Sequence, residues 1–191
     1  MERGVRSNSD KGVTLIELVV VMAIIGIMAL FMIPSLGEWV QNYRIKQAGR
    51  NMASDLQSAK MQAINIHRYC TVIFNANGYV IFPDYDNDMV LDTADYLYDL
   101  DGDGVNENET TDIYKTVMLS TEYKTVIFDT SQAGNGIDFT NSMVAFDSRG
   151  LSRDNTGRFV GGTVFLINTK NNQARRVDIT TAGAISIEEY P

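Results

Sequence analysis

Between Pro83 and Asp112 the sequence carries eleven acidic side chains and no lysine or arginine. Such a run repels itself unless water or a countercharge neutralises it. Two registers within it place oxygen donors at the alternate positions that wrap a divalent cation. Asp84, Asp86, Asp88, Asp92 and Asp95 fall at loop positions one, three, five, nine and twelve. Asp99, Asp101, Asp103 and Glu107 take one, three, five and nine, with Gly104 at the sixth place, where a sharp turn is wanted. Calcium, bound through oxygens at about 2.4 Å, is the cofactor such a set suits. Met89 stands where the first loop wants glycine, and Thr110 where the second wants a bidentate acid, so neither is a full EF-hand loop. A solvated acidic hairpin tip is the other reading.

The rest of the chain is poor in reactive groups. His67 is the single histidine and reads as a solvated residue at a helix end; Cys70 is the single cysteine and cannot form an intrachain disulfide. Within Tyr69 to Phe74 that thiol reads as buried and inert. No histidine-based triad and no Cys/His metal set can be assembled, and no nucleophile stands beside a base, so catalysis is not expected. Glu17 is the remaining anomaly, because an ionised carboxylate inside hydrocarbon costs a few kcal/mol, about 3, unless it is paired. It marks either a functional pair or the headgroup edge of an ordinary anchor.

The elements around these residues follow from hydrophobic periodicity. From Val13 to Ile33 the sequence is apolar except for Thr14 and Glu17 and the small Gly26, and a helix over that span reaches roughly 30 Å, enough to cross a bilayer. Pro34 removes a backbone donor, so a kink or local melting is expected between Ile33 and Gly37 before the helix resumes. From Ile45 the apolar positions Ala48, Met52, Leu56, Ala59, Ala63 and Ile66 recur three and four apart, a stripe that packs on a sheet.

Beyond His67 the period becomes that of strands. Cys70 to Phe74 and Tyr79 to Phe82 flank Asn75-Ala76-Asn77-Gly78, a hairpin connection whose asparagines and glycine tolerate positive φ. Further strands are expected at Ile113 to Leu119, Thr125 to Phe128, Ile137 to Phe139, Met143 to Phe146, Thr163 to Asn168, Ala174 to Thr180 and Ile185 to Ile187. Short connections after one long helix imply an α+β fold: the helix packed on a mainly antiparallel β-sheet head. The expected organisation is a leader at 1–12, a membrane or filament helix at 13–35, its amphipathic continuation at 36–68 and a β-rich head at 69–191.

The leader ending Lys11-Gly12, then Val13-Thr14-Leu15-Ile16-Glu17 and the apolar run, resembles the class III signal of type IV pilins and pseudopilins. The resemblance implies cleavage by a membrane prepilin peptidase between Gly12 and Val13, methylation of the new N-terminus, and Glu17 as the fifth mature residue. Most members begin with phenylalanine, and Val13 departs from that. In such a fibre the carboxylate of Glu17 pairs with the N-terminal amine of an adjacent subunit, so a costly buried charge becomes a register device.

The strand-loop-strand around Phe82 to Ile113, the run Val144-Ala145-Phe146-Asp147-Ser148-Arg149-Gly150, the two strands after it and Thr181-Ala182-Gly183 resemble one branch of that family. The branch is the H-type, FimT-like minor pseudopilins of type II secretion and their minor-pilin relatives. The resemblance implies a single-pass protein of the bacterial inner membrane with its head in the periplasm or on a fibre. The implied partners are other pilin or pseudopilin subunits, the prepilin peptidase, the inner-membrane assembly platform and membrane lipid.

The formal charge is −8, and removal of a leader of charge +1 leaves −9, which argues against general nucleic-acid binding. Arg149, Arg153, Arg158, Lys170, Arg175 and Arg176 nevertheless outnumber Asp147 and Asp154 over their stretch. This basic region keeps a second function class open, a minor pilin that captures DNA for uptake. A contiguous basic strip would favour it; interruption by acids favours the structural subunit.

Overall fold

A computed structural model describes residues 12–91 and 114–190, without the side chains of residues 30–36. The chain divides into two compact units, Met1–Trp39 and Val40–Pro191. Helix α1, Leu15–Ile66, contributes to both. Its assignment continues through Pro34, so the local melting expected there is absent. Among the described residues no helix is long and apolar enough to cross a membrane. The described apolar stretch of α1 stops at Ala29, and the run of sequence that completes the expected span, Leu30 to Ile33, lies in the segment without described side chains.

In the second unit, the stripe read from the sequence is the buried face of α1. Ile45, Ala48, Met52, Leu56, Ala59 and Ala63 are each no more than 1 % exposed, whereas Ile66 is only half-buried as the helix ends. His67 terminates the helix in the left-handed conformation with φ 55° and is exposed. β1 (Tyr69–Asn75) and β2 (Gly78–Asp84) form the expected hairpin, with Asn75 opposite Gly78. Neither Ala76, Asn77 nor Gly78 has positive φ. The Asn75 side chain instead accepts the Asn77 N–H at 3.0 Å, and Gly78 is required for another reason. A Cβ there would lie 1.9 Å from the carbonyl oxygen of Val117 in β3 (Lys115–Met118).

The head holds two antiparallel sheets rather than one. The first has the order β3-β2-β1-β5-β6, with β5 at Met143–Phe146 and β6 at Ser152–Arg153. The second is β4-β7-β8-β9, with β4 at Val126–Phe128, β7 at Gly162–Asn168, β8 at Ala174–Ile179 and β9 at Ile185–Tyr190. One hydrophobic cluster joins them to the helix stripe: Val72, Phe74, Tyr79 and Ile81 come from one sheet, Val164, Leu166, Val177 and Ile179 from the other.

Three local expectations change. The strand expected at Ile137 to Phe139 reduces to an isolated bridge of Ile137 with Val164, although Phe139 is buried and stacks on Phe74 at 6.1 Å. Leu119 opens a short helix, α2 (Leu119–Glu122), instead of closing a strand. β6 has too few residues to show a period of two and was not expected. The result is an α+β fold, a long N-terminal helix packed on antiparallel sheets.

Candidate functional site

At the start of α1, the Thr14 hydroxyl accepts the Glu17 N–H at 3.3 Å. Thr14 therefore caps the helix from the position three residues before Glu17, the spacing of a capping box. By hydropathy Thr14 is only a polar exception in the run; the pattern Thr-x-x-Glu ahead of apolar residues is the signal of its cap. A carboxylate in this first turn also faces the positive end of the helix dipole. Around it the large apolar side chains from Val13 to Met28 are exposed among the described residues, from 49 % at Val20 and Val21 to 82 % at Leu15.

Within the head, β2 delivers Asp84 to the acidic segment. Carboxylate oxygens of Asp84, Asp86 and Asp88 lie within 4.8 Å of one another. Asp84 is fully buried, and its oxygens accept from the Thr71 hydroxyl at 3.0 Å, the Met89 N–H at 2.8 Å and the Asp88 N–H at 3.2 Å. Burial raises its pKa more than these hydrogen bonds lower it, and the charge of Asp86 adds to the rise. Asp84 thus folds its own loop, while Asp86 and Asp88 are exposed. Met89, standing where calcium-loop glycine was wanted, takes φ 62° as that glycine would, yet its side chain is buried. Asp92, Asp95, Asp99, Asp101, Asp103 and Glu107 lie outside the described residues, and with them the second loop and the last third of the first.

Cys70, beside Asp84, has its thiol pushed up to about 12 by burial and by that carboxylate, so it stays protonated. Among the described residues the buried polar groups work as fasteners. Asp55 on α1 receives the Tyr79 hydroxyl at 2.7 Å and the Lys115 ammonium at 2.7 Å, tying helix to β2 and β3. Asp129, after β4, accepts the hydroxyl of Tyr190 at 2.6 Å and fixes the end of β9.

The C-terminal basic residues do not form a bare strip. Asp147 is buried and accepts from Arg153 at 2.9 Å and Arg149 at 3.1 Å, and Phe159 lies against the Arg153 guanidinium at 3.8 Å. Burial alone would raise the pKa of Asp147, but the N–H groups of Leu151 and Arg149 and the two guanidiniums together hold it below the ordinary value. Arg175 meets Glu189 at 2.7 Å, and Arg176 meets Asp178 at 3.2 Å and also Glu188. These arginines are structural partners of carboxylates, which weakens the DNA-capture reading.

The two terminal motifs singled out in the sequence meet in space. Gly183 packs so closely on Gly150 that a Cβ would stand 1.9 Å from the Gly150 carbonyl oxygen, and the Lys60 ammonium of α1 donates to the Gly183 carbonyl at 2.8 Å. This approach requires glycine at 183, while Gly150 combines φ 76° with a Cβ position that would lie 2.7 Å from Lys60 Cε.

Comparison with known proteins agrees with this division of labour. Residues 7–33 match the prokaryotic N-terminal methylation motif, and residues 48–183 match the family model of type II transport protein GspH. No curated protein matches the chain. Two crystal structures of the type IV minor pilin FimU of Pseudomonas aeruginosa resemble it. The first has a TM-score of 0.49 at 13 % identity, covering 78 % of this chain and 92 % of that one. The second has a TM-score of 0.46 at 15 % identity, covering 75 % and 91 %. With the methylation motif on the helix and the family model spanning most of the head, the chain belongs to the GspH family of minor pilins and pseudopilins and is a structural subunit, not an enzyme.

Proposed function

We propose that this protein is a minor subunit of a type II secretion pseudopilus or a type IV pilus, cleaved after Gly12 and methylated on Val13. Its apolar helix lies across the bacterial inner membrane before assembly and among neighbouring helices afterwards, with the head in the periplasm or on the fibre. The observation that carries this reading is the apolar surface from Val13 to Met28, which is exposed among the described residues. A continuous apolar surface of that extent needs lipid or another helix against it. Glu17 supplies the one charge within it and pairs with the new amine of an adjacent subunit. The prepilin peptidase and the inner-membrane platform are the partners that this route requires.

The Thr14 cap is made to the Glu17 backbone N–H and survives any change of the Glu17 side chain, so the test isolates the carboxylate. Glu17→Gln keeps the side chain's size and removes its charge; Glu17→Ala removes the polar group altogether. Both variants are expected to insert in the membrane, with an intact head, and to be depleted from sheared fibres relative to the unsubstituted chain. Normal incorporation of Glu17→Gln would contradict the pairing role.

A further inference from the structure

β9 is an edge strand of the second sheet, paired with β8 on one side and with no strand on the other among the described residues. The hairpin that begins it closes with the Thr180 N–H donating to the Ala184 carbonyl at 2.9 Å. Along an antiparallel ladder the backbone groups point alternately to either side. Ser186, Glu188 and Tyr190 therefore bond to β8, while the N–H and C=O groups of Ile185, Ile187 and Glu189 point away from it. No backbone hydrogen bond takes these outward groups among the described residues. Charged side chains commonly guard such an edge. Here both acids of β9 are drawn back onto β8, Glu189 by Arg175 and Glu188 by Arg176.

The same three residues share a sheet face with the core. Ile185, Ile187 and Glu189 stand opposite Ile179, Val177 and Arg175, and Val177 and Ile179 are buried in the cluster that contains the α1 stripe. Beside them α1 carries Lys46 and Arg50 one turn apart, both exposed and neither in an ion pair among the described residues. Like charges four residues apart on a helix repel each other unless an anion lies between them. With Arg175 and Ile187 they line a concavity of about 360 Å³. Gly49 lets helix and sheet come this close, since Ile187 Cγ2 and Arg175 Cβ lie 3.5 and 3.8 Å from where its Cβ would be. Ile187 is still 36 % exposed on this inward face.

We propose that the free edge of β9 receives an extended segment of a different fibre subunit as an added strand, with an acidic side chain opposite Ile187 seated among Lys46, Arg50 and Arg175. A residue opposite Ile187 in such a strand projects on the same face of the sheet, about 5 Å farther out, which brings it to the concavity. The backbone edge supplies attachment and the cations select the side chain, the usual division in strand addition. Nucleic acid or anionic lipid would meet the cations but leave the alternating N–H and C=O groups unmatched. A second copy of β9 is also the poorer occupant, because its inward positions are Ile185, Ile187 and Glu189, and Glu189 is already held by Arg175. The inference rests on the fibre reading for its setting but not for its chemistry.

The test uses the purified full-length chain in detergent micelles and a fluorescent peptide of alternating threonine and glutamate, with binding read by anisotropy. Lys46→Glu with Arg50→Glu, on the exposed helix face, is expected to weaken binding about ten-fold. Ile187→Pro removes one outward N–H, leaves the ladder to β8 in place and is expected to weaken it similarly. Two further peptides, methylated on the glutamate amides or on the threonine amides, keep every charge. One of the two is expected to bind at least about ten-fold less tightly, a loss that no misfolding of a variant can produce. Bound peptide is also expected to slow amide exchange at Ile187. No binding of the unmethylated peptide at millimolar concentration would overturn the proposal, as would equal binding of all three peptides or no effect of Lys46→Glu/Arg50→Glu. So would a dimer of the unsubstituted chain that Ile187→Pro, still folded by circular dichroism, dissolves. The assay needs neither processing nor a fibre, so failure here is distinguishable from failure of the Glu17 test in cells.

Discussion

Asp84 has a structural role at the place where alternation of acids in the sequence marks a calcium ligand. Its register opposite Tyr69 at the end of β2 puts it under the loop, where Thr71, Asp88 and Met89 donate to its oxygens, and it stays within 4.8 Å of the carboxylates of Asp86 and Asp88. Asp84→Asn removes one of those acceptors and is expected to lower stability by about 1–3 kcal/mol, the cost of leaving a buried donor unpaired. The structural role predicts an equal loss in calcium and in chelator, as measured by urea unfolding of the full chain in detergent; a loss confined to calcium-containing buffer would show instead that Asp84 acts through a bound metal. Because its folded pKa is raised, Asp84 contributes stability that is present in acid and is lost as pH rises through that folded value. Asp147 has the opposite sign. Its pKa is lowered, so its contribution is present above the unfolded carboxylate value and disappears as pH falls through the folded one. Asp147→Asn is therefore expected to flatten the acid limb of the stability profile below about pH 4, and an unchanged limb would show that Arg149 and Arg153 do not stabilise the charge. Glu17 was legible as an isolated charge in an apolar run. Thr14 was equally legible as its cap, but a hydropathy reading passes over a threonine.

At the scale of elements, periodicity exposed what repeats and hid what closes. The α1 stripe is legible because six buried positions recur every three or four residues over five turns; β6 and α2 are too short for any period to appear. The division into two sheets was also hidden, since it depends on which strands pair, and the partner of β1 after β2 is β5, some seventy residues on. Glycines report such close approaches only once the fold is known. Gly49 and Gly78 make the contrast measurable. At Gly49, inside the helix, an added methyl meets its neighbours at ordinary contact distance, so Gly49→Ala is expected to stabilise by about 0.5–1 kcal/mol through helix propensity. At Gly78 the same methyl would collide with the Val117 carbonyl, so Gly78→Ala is expected to separate β2 from β3 and lower the melting temperature by several degrees. Circular dichroism melts of the two variants check both signs.

For the molecule as a whole, the two units divide the work. The head is fastened internally by Asp55, Asp129 and Asp147, and four of the six C-terminal cations, Arg149, Arg153, Arg175 and Arg176, are held by carboxylates. The apolar helix of the first unit is exposed among the described residues, and its character was legible from composition alone. The central claim is that the chain enters a fibre through a prepilin route, and the N-terminus records that directly. Mass spectrometry of the membrane fraction from cells with an active prepilin peptidase is expected to give a first residue Val13 carrying one methyl group, with Met1 to Gly12 removed, and Gly12→Glu is expected to block this change. A mature chain that still begins at Met1 in such cells would contradict the account.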